Sequence, residues 1–226
     1  MTMSKPIKID FVSDVSCPWC VIGLRGLEAA LARVGELVQA EIHFQPFELN
    51  PDMPPGGQNI VEHVAQKYGA SPEQSAAARQ IIRARAAEVG FKMAMSDESR
   101  IYNTFDAHRL LHWAGVTGRQ TDLKRALFTA YFTYGQNPAD HDSLVATAQQ
   151  AGLDGAAARD VLDAGLFADE VRAAERRWLE EGITAVPAVV INDRYLISGG
   201  QPPAAFEKAL RSIAAEMPGA NSTAQA

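Results

Sequence analysis

Cysteine is scarce in this sequence, with only Cys17 and Cys20 among 226 residues. A structural zinc site needs four ligands, and no further cysteine is present to complete one around this pair. A structural metal site is therefore disfavoured, and we expect neither a metal nor a bound cofactor. Two inert buried thiols remain the alternative for such a pair taken on its own.

A net positive charge and long apolar runs are also lacking. The net charge of −6 argues against nucleic acid or an anionic membrane as the main partner. No run approaches the roughly 18 apolar residues that a membrane span needs, and the N-terminal MTMSKPIKID shows no apolar signal core. We therefore expect a cytoplasmic protein, and in a reducing compartment a cysteine pair is more typical of redox or catalytic chemistry than of structure.

The two cysteines lie where a strand pattern meets a helix pattern, within residues 7–27, IKIDFVSDVSCPWCVIGLRGL. The first part of this segment is typical of a buried strand, and the second part has apolar residues at helical spacing. Pro18 favours a helix start, because its fixed φ suits the first turn and its missing N–H is not needed there. The pattern predicts Cys17 at the N-cap and Cys20 in the first turn.

This placement favours dithiol chemistry. A thiolate at a helix N-terminus faces unpaired backbone N–H groups and the positive end of the helix dipole, which stabilise the anion. We therefore expect Cys17 to be an activated nucleophile. Cys20 is close enough to attack the Cys17 sulfur, so a mixed disulfide formed at Cys17 can be resolved within the chain.

The following residues predict a sheet that is interrupted by a long helical segment. Residues 39–47 alternate as a second strand, which we expect to be parallel to the first because a crossover helix joins them. No stretch within residues 59–181 alternates as a strand. Helices are predicted near 59–68, 72–88, 102–116, 120–134, 140–151, 155–164 and 166–181.

The sheet resumes at residues 183–198, where two apolar runs flank Asn192-Asp193-Arg194 and predict a hairpin. A last helix follows Pro202-Pro203. The predicted fold is α/β with a mixed sheet and a large all-helical insertion. One domain is formed by residues 1–57 and 182–226, and the insertion is formed by residues 58–181.

This order of elements resembles the thioredoxin fold, and helices inserted after the second strand resemble the DsbA family of dithiol oxidoreductases. The segments DFVSDVSCPWC, NTFDAHRLLHWA and VPAVVIN…ISGGQP are similar to those of its FrnE-like, cytosolic branch. The resemblance spans nearly the whole chain. It implies a thioredoxin-like domain and a thiol-disulfide oxidoreductase in which Cys17 attacks and Cys20 resolves. The implied substrate is a disulfide-containing protein or a small thiol.

The resemblance also implies roles for other residues. Pro187 is expected to be cis and to pack against the cysteines, so that the Val186 backbone pairs with an extended substrate. A second branch, the kappa-class glutathione transferases and hydroxychromene-carboxylate isomerases, typically carries serine at the position of Cys17. In that branch the loop matching Gly200 and Gln201 receives the γ-glutamyl carboxylate of glutathione. Glutathione is thus a candidate partner, and a glutathione-dependent isomerase or transferase is the alternative function.

Asp14 and His108 are candidates for tuning the thiols. Asp14 precedes the cysteine turn and can accept a proton, or it can simply hydrogen-bond the turn. His108 and His112 share a predicted helix face, but no third ligand is nearby, so a solvated or domain-contact face is favoured over a metal site.

Two further surfaces are open to more than one interpretation. Trp19, between the cysteines, is expected to be partly exposed and, with Pro18, to touch the substrate. The aromatic residues of the insertion suit its core better than a substrate wall. Its alanine-rich helices can pack within one chain or support a homodimer.

Overall fold

A four-stranded mixed sheet is the centre of the protein. The structure, a computed structural model, describes residues 4–54 and 56–217. The strands are β1 (Lys5–Ser13), β2 (Val38–Pro46), β5 (Ala188–Ile191) and β6 (Tyr195–Ser198), in the order β2-β1-β5-β6. β1 is parallel to β2 and antiparallel to β5, and β5 and β6 are antiparallel. The predicted parallel pair and hairpin are both confirmed.

Local sequence explains both connections. Helix α1 (Pro18–Val34) links β1 to β2, and a crossover of this kind is what makes two sequential strands parallel. In the hairpin turn, Asn192 and Asp193 both have φ of 53°, a left-handed conformation that these two residue types tolerate well.

Helices fill most of the chain between β2 and β5. They are α2 (Ile60–Tyr68), α3 (Pro72–Glu88), α4 (Phe105–Val116), α5 (Gln120–Phe132), α6 (His141–Gln150), α7 (Gly155–Asp163) and α8 (Ala168–Glu180). Ser71 and Gln74 form a capping box at α3, and Asp140 caps α6.

One short pair of strands departs from the expectation of an all-helical segment. β3 (Gln58–Asn59) and β4 (Arg100–Ile101) pair antiparallel. Each strand has only two residues, too few to show the alternation by which a strand is recognised in a sequence. Residues 89–99 before β4 are also not helical.

Two main groups of buried side chains form the core. The larger group surrounds the sheet and α1 and includes both cysteines together with Phe44 and Phe128. The other is built mainly from α4 to α7. Among residues 4–54 and 56–217, no helix is both long enough and apolar enough to cross a membrane.

The last helix, α9 (Pro203–Glu216), packs against α1 at a point where only glycine fits. A Cβ added at Gly26 would lie 2.6 Å from the carbonyl oxygen of Gln201. Backbone cannot move away as a side chain can. The chain before α9 is therefore held directly against α1, nearly two turns beyond Cys20.

We predict that Gly26→Ala lowers the free energy of unfolding by about 1–3 kcal/mol, because the new methyl group overpacks this contact. Urea unfolding measures the change. Gly155→Ala is the matched control, since the atoms nearest its added Cβ belong to the Gln149 side chain, which can rotate away. Equal effects of the two substitutions would contradict the prediction.

Candidate active site

The two thiols lie at the start of α1, as the sequence predicts. Cys17 is the N-cap residue, with φ −89° and ψ 113°, and Pro18 is the first helical residue. The Cys17 N–H donates to the Asp14 carbonyl oxygen (3.2 Å), and the Cys20 N–H donates to the Cys17 carbonyl oxygen (3.1 Å). Both cysteines are free thiols. Their spacing places the Cys17 sulfur at the N-terminus of the helix and the Cys20 sulfur within its first turn.

The two thiols differ in their surroundings. Both side chains are buried, but Cys20 is 0% exposed, whereas Cys17 is 3% exposed and lines a cavity. Burial raises the pKa of the Cys20 thiol well above its usual value, and the hydrogen bond with Cys17 raises it further. The charge of Lys124 acts in the opposite direction. Cys20 is therefore a thiol that does not ionise readily unless something stabilises its anion.

The loop before β5 brings Val186 against the Cys17 sulfur. The Val186-Pro187 peptide bond is cis, and the Cys17 thiol lies 3.7 Å from the Val186 carbonyl oxygen, to which it can donate. A Cβ at Gly23 would lie 3.1 Å from Pro187 Cγ. The absence of a side chain at Gly23 thus lets this loop approach α1 next to the cysteines.

A cavity lies beside Cys17. Its volume is about 470 Å³, which is large enough for a small ligand. It lies between the start of α1 and helices α2 and α3. Most of its lining is apolar, and its polar members include Ser75 and the buried Arg79, which also pairs with Asp97. The apolar side chains around it include Pro18, Trp19, Ile60, Val64, Ile82, Met95 and Val186.

Trp19 is 37% exposed, in agreement with the partial exposure expected for it. Trp19 lines the cavity beside Cys17, whereas Gly200 and Gln201 do not. A Cβ at Gly200 would lie 2.8 Å from the Trp19 carbonyl oxygen, and the Gln201 amide donates to the Ser198 carbonyl oxygen. Gly200 therefore supports the backbone of the cysteine turn.

The start of α9 offers few donors for an anion. Pro202 is its N-cap residue and Pro203 its first residue, and proline has no backbone N–H. The loop that the resemblance links to a carboxylate site thus lacks two of the N–H groups that a helix N-terminus usually presents.

Asp14 and His108 meet directly beneath the cysteine turn. Asp14 accepts hydrogen bonds from the N–H groups of Ser16 (3.0 Å) and Leu49 (2.7 Å), so the turn-bonding alternative describes part of its role. Its Oδ1 lies 3.7 Å from His108 Nε2, a distance typical of a charge contact rather than a hydrogen bond. Burial raises the pKa of Asp14, but His108 and the two N–H donors outweigh burial and hold that pKa below its usual value.

Of the two alternatives predicted for the histidine face, the solvated one does not describe His108, which is only 3% exposed, whereas its contact with Asp14 fits the domain-contact one. Its helix packs against the sheet, so the side chain is directed towards Asp14 rather than towards solvent. His112 instead stacks near the ring of Phe167, with centroids 5.1 Å apart. The two imidazoles therefore have different partners.

Sequence reasoning missed Lys124, which is fully buried in α5. Its amino group lies 4.8 Å from the centroid of the Phe128 ring and 5.9 Å from that of Phe44. A signal was present, because Lys124 shares the apolar face of α5 with Leu127, Phe128 and Tyr131 at helical spacing. A lysine in such a stripe usually extends its charge to solvent, and this one does not.

Comparisons with known proteins bear on the family and the fold of this chain. Residues 8–211 match the family model described as DSBA-like thioredoxin domain. The chain is 34% identical to a probable DsbA oxidoreductase from Streptomyces coelicolor, with a TM-score of 0.86, over 94% of this chain and 92% of that one. It is 29% identical over 205 residues to the uncharacterized protein YwbO of Bacillus subtilis, which covers 90% of this chain and 96% of the relative.

A more distant structure shares the fold. The cytosolic disulfide reductase DsbM from Pseudomonas aeruginosa is 16% identical, with a TM-score of 0.62 over 91% of this chain and 98% of that one. Its structure has also been determined with GSH.

Proposed function

The chain belongs to the DSBA-like thioredoxin domain family, and on that premise we propose that it is a cytoplasmic dithiol–disulfide oxidoreductase in which Cys17 attacks and Cys20 resolves. The observation that carries this proposal is the asymmetry of the two thiols. Cys17 faces a cavity at the helix start, while Cys20 is buried one turn further along and is protected from outside reactants.

The proposed reaction moves two electrons from the dithiol to the substrate. The Cys17 thiolate attacks one sulfur of the substrate disulfide, and the other sulfur leaves as a thiolate that takes up a proton. The Cys20 thiolate then attacks the Cys17 sulfur of the mixed disulfide. A Cys17–Cys20 disulfide forms, and the second substrate sulfur leaves as a thiolate. The reverse sequence, with an external thiol as reductant, regenerates the dithiol.

The surroundings of Cys17 support a substrate bound by backbone and apolar contacts. An extended chain or thiol compound bound there would lie along the Val186 backbone, next to Pro187. The apolar cavity, with Pro18 and Trp19 at its edge, would take an adjoining side chain. We further propose that Asp14 and His108, beneath the turn, tune the thiols through their charges.

Glutathione is the proposed small-thiol partner. The cavity of about 470 Å³ lies within the range of small-molecule sites, roughly 300–1,000 Å³. A cytoplasm rich in glutathione would supply the reductant for the cycle. The substrate carboxylates would need donors other than the start of α9, where two prolines replace N–H groups.

We predict that Cys20→Ser traps the intermediate. When the reduced variant is mixed with oxidised glutathione, Cys17 forms a mixed disulfide that nothing in the chain resolves, and intact-protein mass spectrometry detects the added glutathionyl group. Wild-type protein under the same conditions proceeds to the internal disulfide and retains little adduct.

Cys17→Ser is the matched control for this trap. It should acquire almost no adduct, because its remaining thiol is fully buried. The proposal fails when wild-type protein accumulates as much adduct as Cys20→Ser, or when the Cys17→Ser variant is labelled as fast as Cys20→Ser.

A further inference from the structure

Lys124 is a buried charge without a partner in the described part of the chain. It is fully buried, and its amino group makes no hydrogen bond. An unpaired ammonium group away from water is costly, so natural proteins rarely keep one without a use. The titratable groups that face it come from four elements: Cys17 and Cys20 of α1, Asp14 before α1, His108 and His112 of α4, and His43 of β2.

The amino group lies within the core that also holds the two cysteines. It is above the rings of Phe128 and Phe44, and both rings belong to the same group of buried side chains as Cys17 and Cys20. Asp14 connects the two regions, because its carboxylate meets His108 and its carbonyl oxygen accepts the Cys17 N–H. Lys124 is thus a cation placed behind the active-site turn.

A second cavity gives Lys124 a route to solvent. Its volume is about 340 Å³, large enough for water, and it is lined by Lys124, His43, His108 and His112 among others. It shares no lining residue with the cavity beside Cys17. His108 Nε2 is also without a hydrogen-bond partner. Two buried nitrogens therefore border a cavity that is separate from the substrate side of the cysteines.

The resolving step creates a need for such a group. Cys20 must lose its proton before it attacks, yet it is fully buried, so its thiolate is not stabilised by water. Burial raises the pKa of the Cys20 thiol well above its usual value, whereas the charge of Lys124 lowers it.

Resting on the proposed function, we propose that the buried Lys124 ammonium stabilises the Cys20 thiolate during resolution. The amino group of Lys124 makes no hydrogen bond, so it acts through its charge, which lowers the cost of forming the Cys20 thiolate in the core. The thiolate forms the bond to the Cys17 sulfur as the bond to the substrate sulfur breaks, and the substrate leaves as a thiolate. The leaving thiolate takes up a proton, which balances the one that Cys20 gave up, and Lys124 exchanges its own proton with solvent on the side of the histidine-lined cavity.

The titration of Lys124 is suited to this role. Burial lowers the pKa of Lys124 from 10.5 to about 8, against the raising effects of Cys20, Asp14 and Cys17. Since the two charges interact, the titration belongs to the Cys20–Lys124 pair, and the reactive form of the pair has a Cys20 thiolate and a Lys124 ammonium. The rate of resolution should therefore rise through about pH 8.

The aromatic disulfide dithiobis(nitrobenzoate) separates the two chemical steps. When it is mixed in substoichiometric amount with the reduced full-length protein in a stopped-flow instrument, attack by Cys17 releases a first thionitrobenzoate, and resolution by Cys20 releases a second. In Lys124→Met we expect the rate of the first phase to stay within about twofold of wild type and that of the second phase to fall at least about tenfold at pH 7. A tenfold fall corresponds to a rise of about one unit in the pKa of Cys20, which leaves about a tenth of the thiolate. The pH profile of the second phase should shift upwards.

Arg125→Met is the matched control, since it removes an exposed cation from the same helix and should change neither phase. Methionine at position 124 keeps the apolar contacts of the lysine stem and removes the buried charge, so the variant should fold. The outcomes separate the two hypotheses. A wild-type protein that never releases the second thionitrobenzoate refutes the proposed function. A normal wild-type reaction with an unchanged second phase and pH profile in Lys124→Met, or with both phases slowed equally, refutes the role of Lys124.

Discussion

Replacing Cys17 with serine should abolish disulfide reduction. We expect the rate of glutathione-dependent reduction of bis(2-hydroxyethyl) disulfide to fall by roughly 10³-fold or more, because a serine hydroxyl does not ionise at neutral pH and cannot form the mixed disulfide. The structure excludes a rescue by the second thiol. Cys20 is fully buried, and its pKa is raised by burial and by Cys17.

This prediction is tested by steady-state kinetics with a glutathione reductase coupled assay, together with circular dichroism to show that the variant is folded. Serine differs from cysteine by one atom, so the packing of the N-cap should survive. Turnover within tenfold of wild type would contradict the assignment of Cys17 as nucleophile. A glutathione-dependent isomerase or transferase would instead convert an aromatic substrate in the presence of glutathione, and that conversion would persist in Cys20→Ser.

The part of the site that depends on local sequence could be predicted. Pro18 marks the first residue of α1, and this alone places Cys17 at the N-cap. The hairpin turn could be predicted for the same reason, since Asn192 and Asp193 adopt the left-handed conformation that their side chains tolerate. In both cases the residues that determine the structure are neighbours in the chain.

The part that depends on distant contacts could not be predicted. His108 has no local feature that distinguishes a buried ion partner from a solvated one, and Asp14 reaches it only when α4 packs against the sheet. The pair of strands β3 and β4 is visible only when residues 58 and 101 meet. The burial of Lys124 likewise depends on the packing of α5 against β2. Its place on the apolar face of α5 indicates a buried stem but not a buried amino group.

Lys124→Met should make the protein more stable while it impairs resolution. The Lys124 pKa of about 8 in the folded chain, against 10.5 for an ordinary lysine, corresponds to roughly 3 kcal/mol of destabilisation at neutral pH. Below pH 8 the amine is charged in both folded and unfolded chains, and the cost of burying the charge opposes folding. Between pH 8 and 10.5 only the unfolded chain holds the proton, so this cost falls as pH rises.

Urea unfolding of both proteins across this pH range measures the effect. The advantage of Lys124→Met in free energy of unfolding should be greatest below pH 8 and should shrink steadily above it. The difference between the two proteins is the informative quantity, because other groups, Cys20 among them, also titrate at alkaline pH and contribute to both curves. A variant less stable than wild type at every pH would mean that Lys124 is held by favourable contacts. A stability gain paired with slow resolution would instead show that this fold retains a destabilising charge for its chemistry.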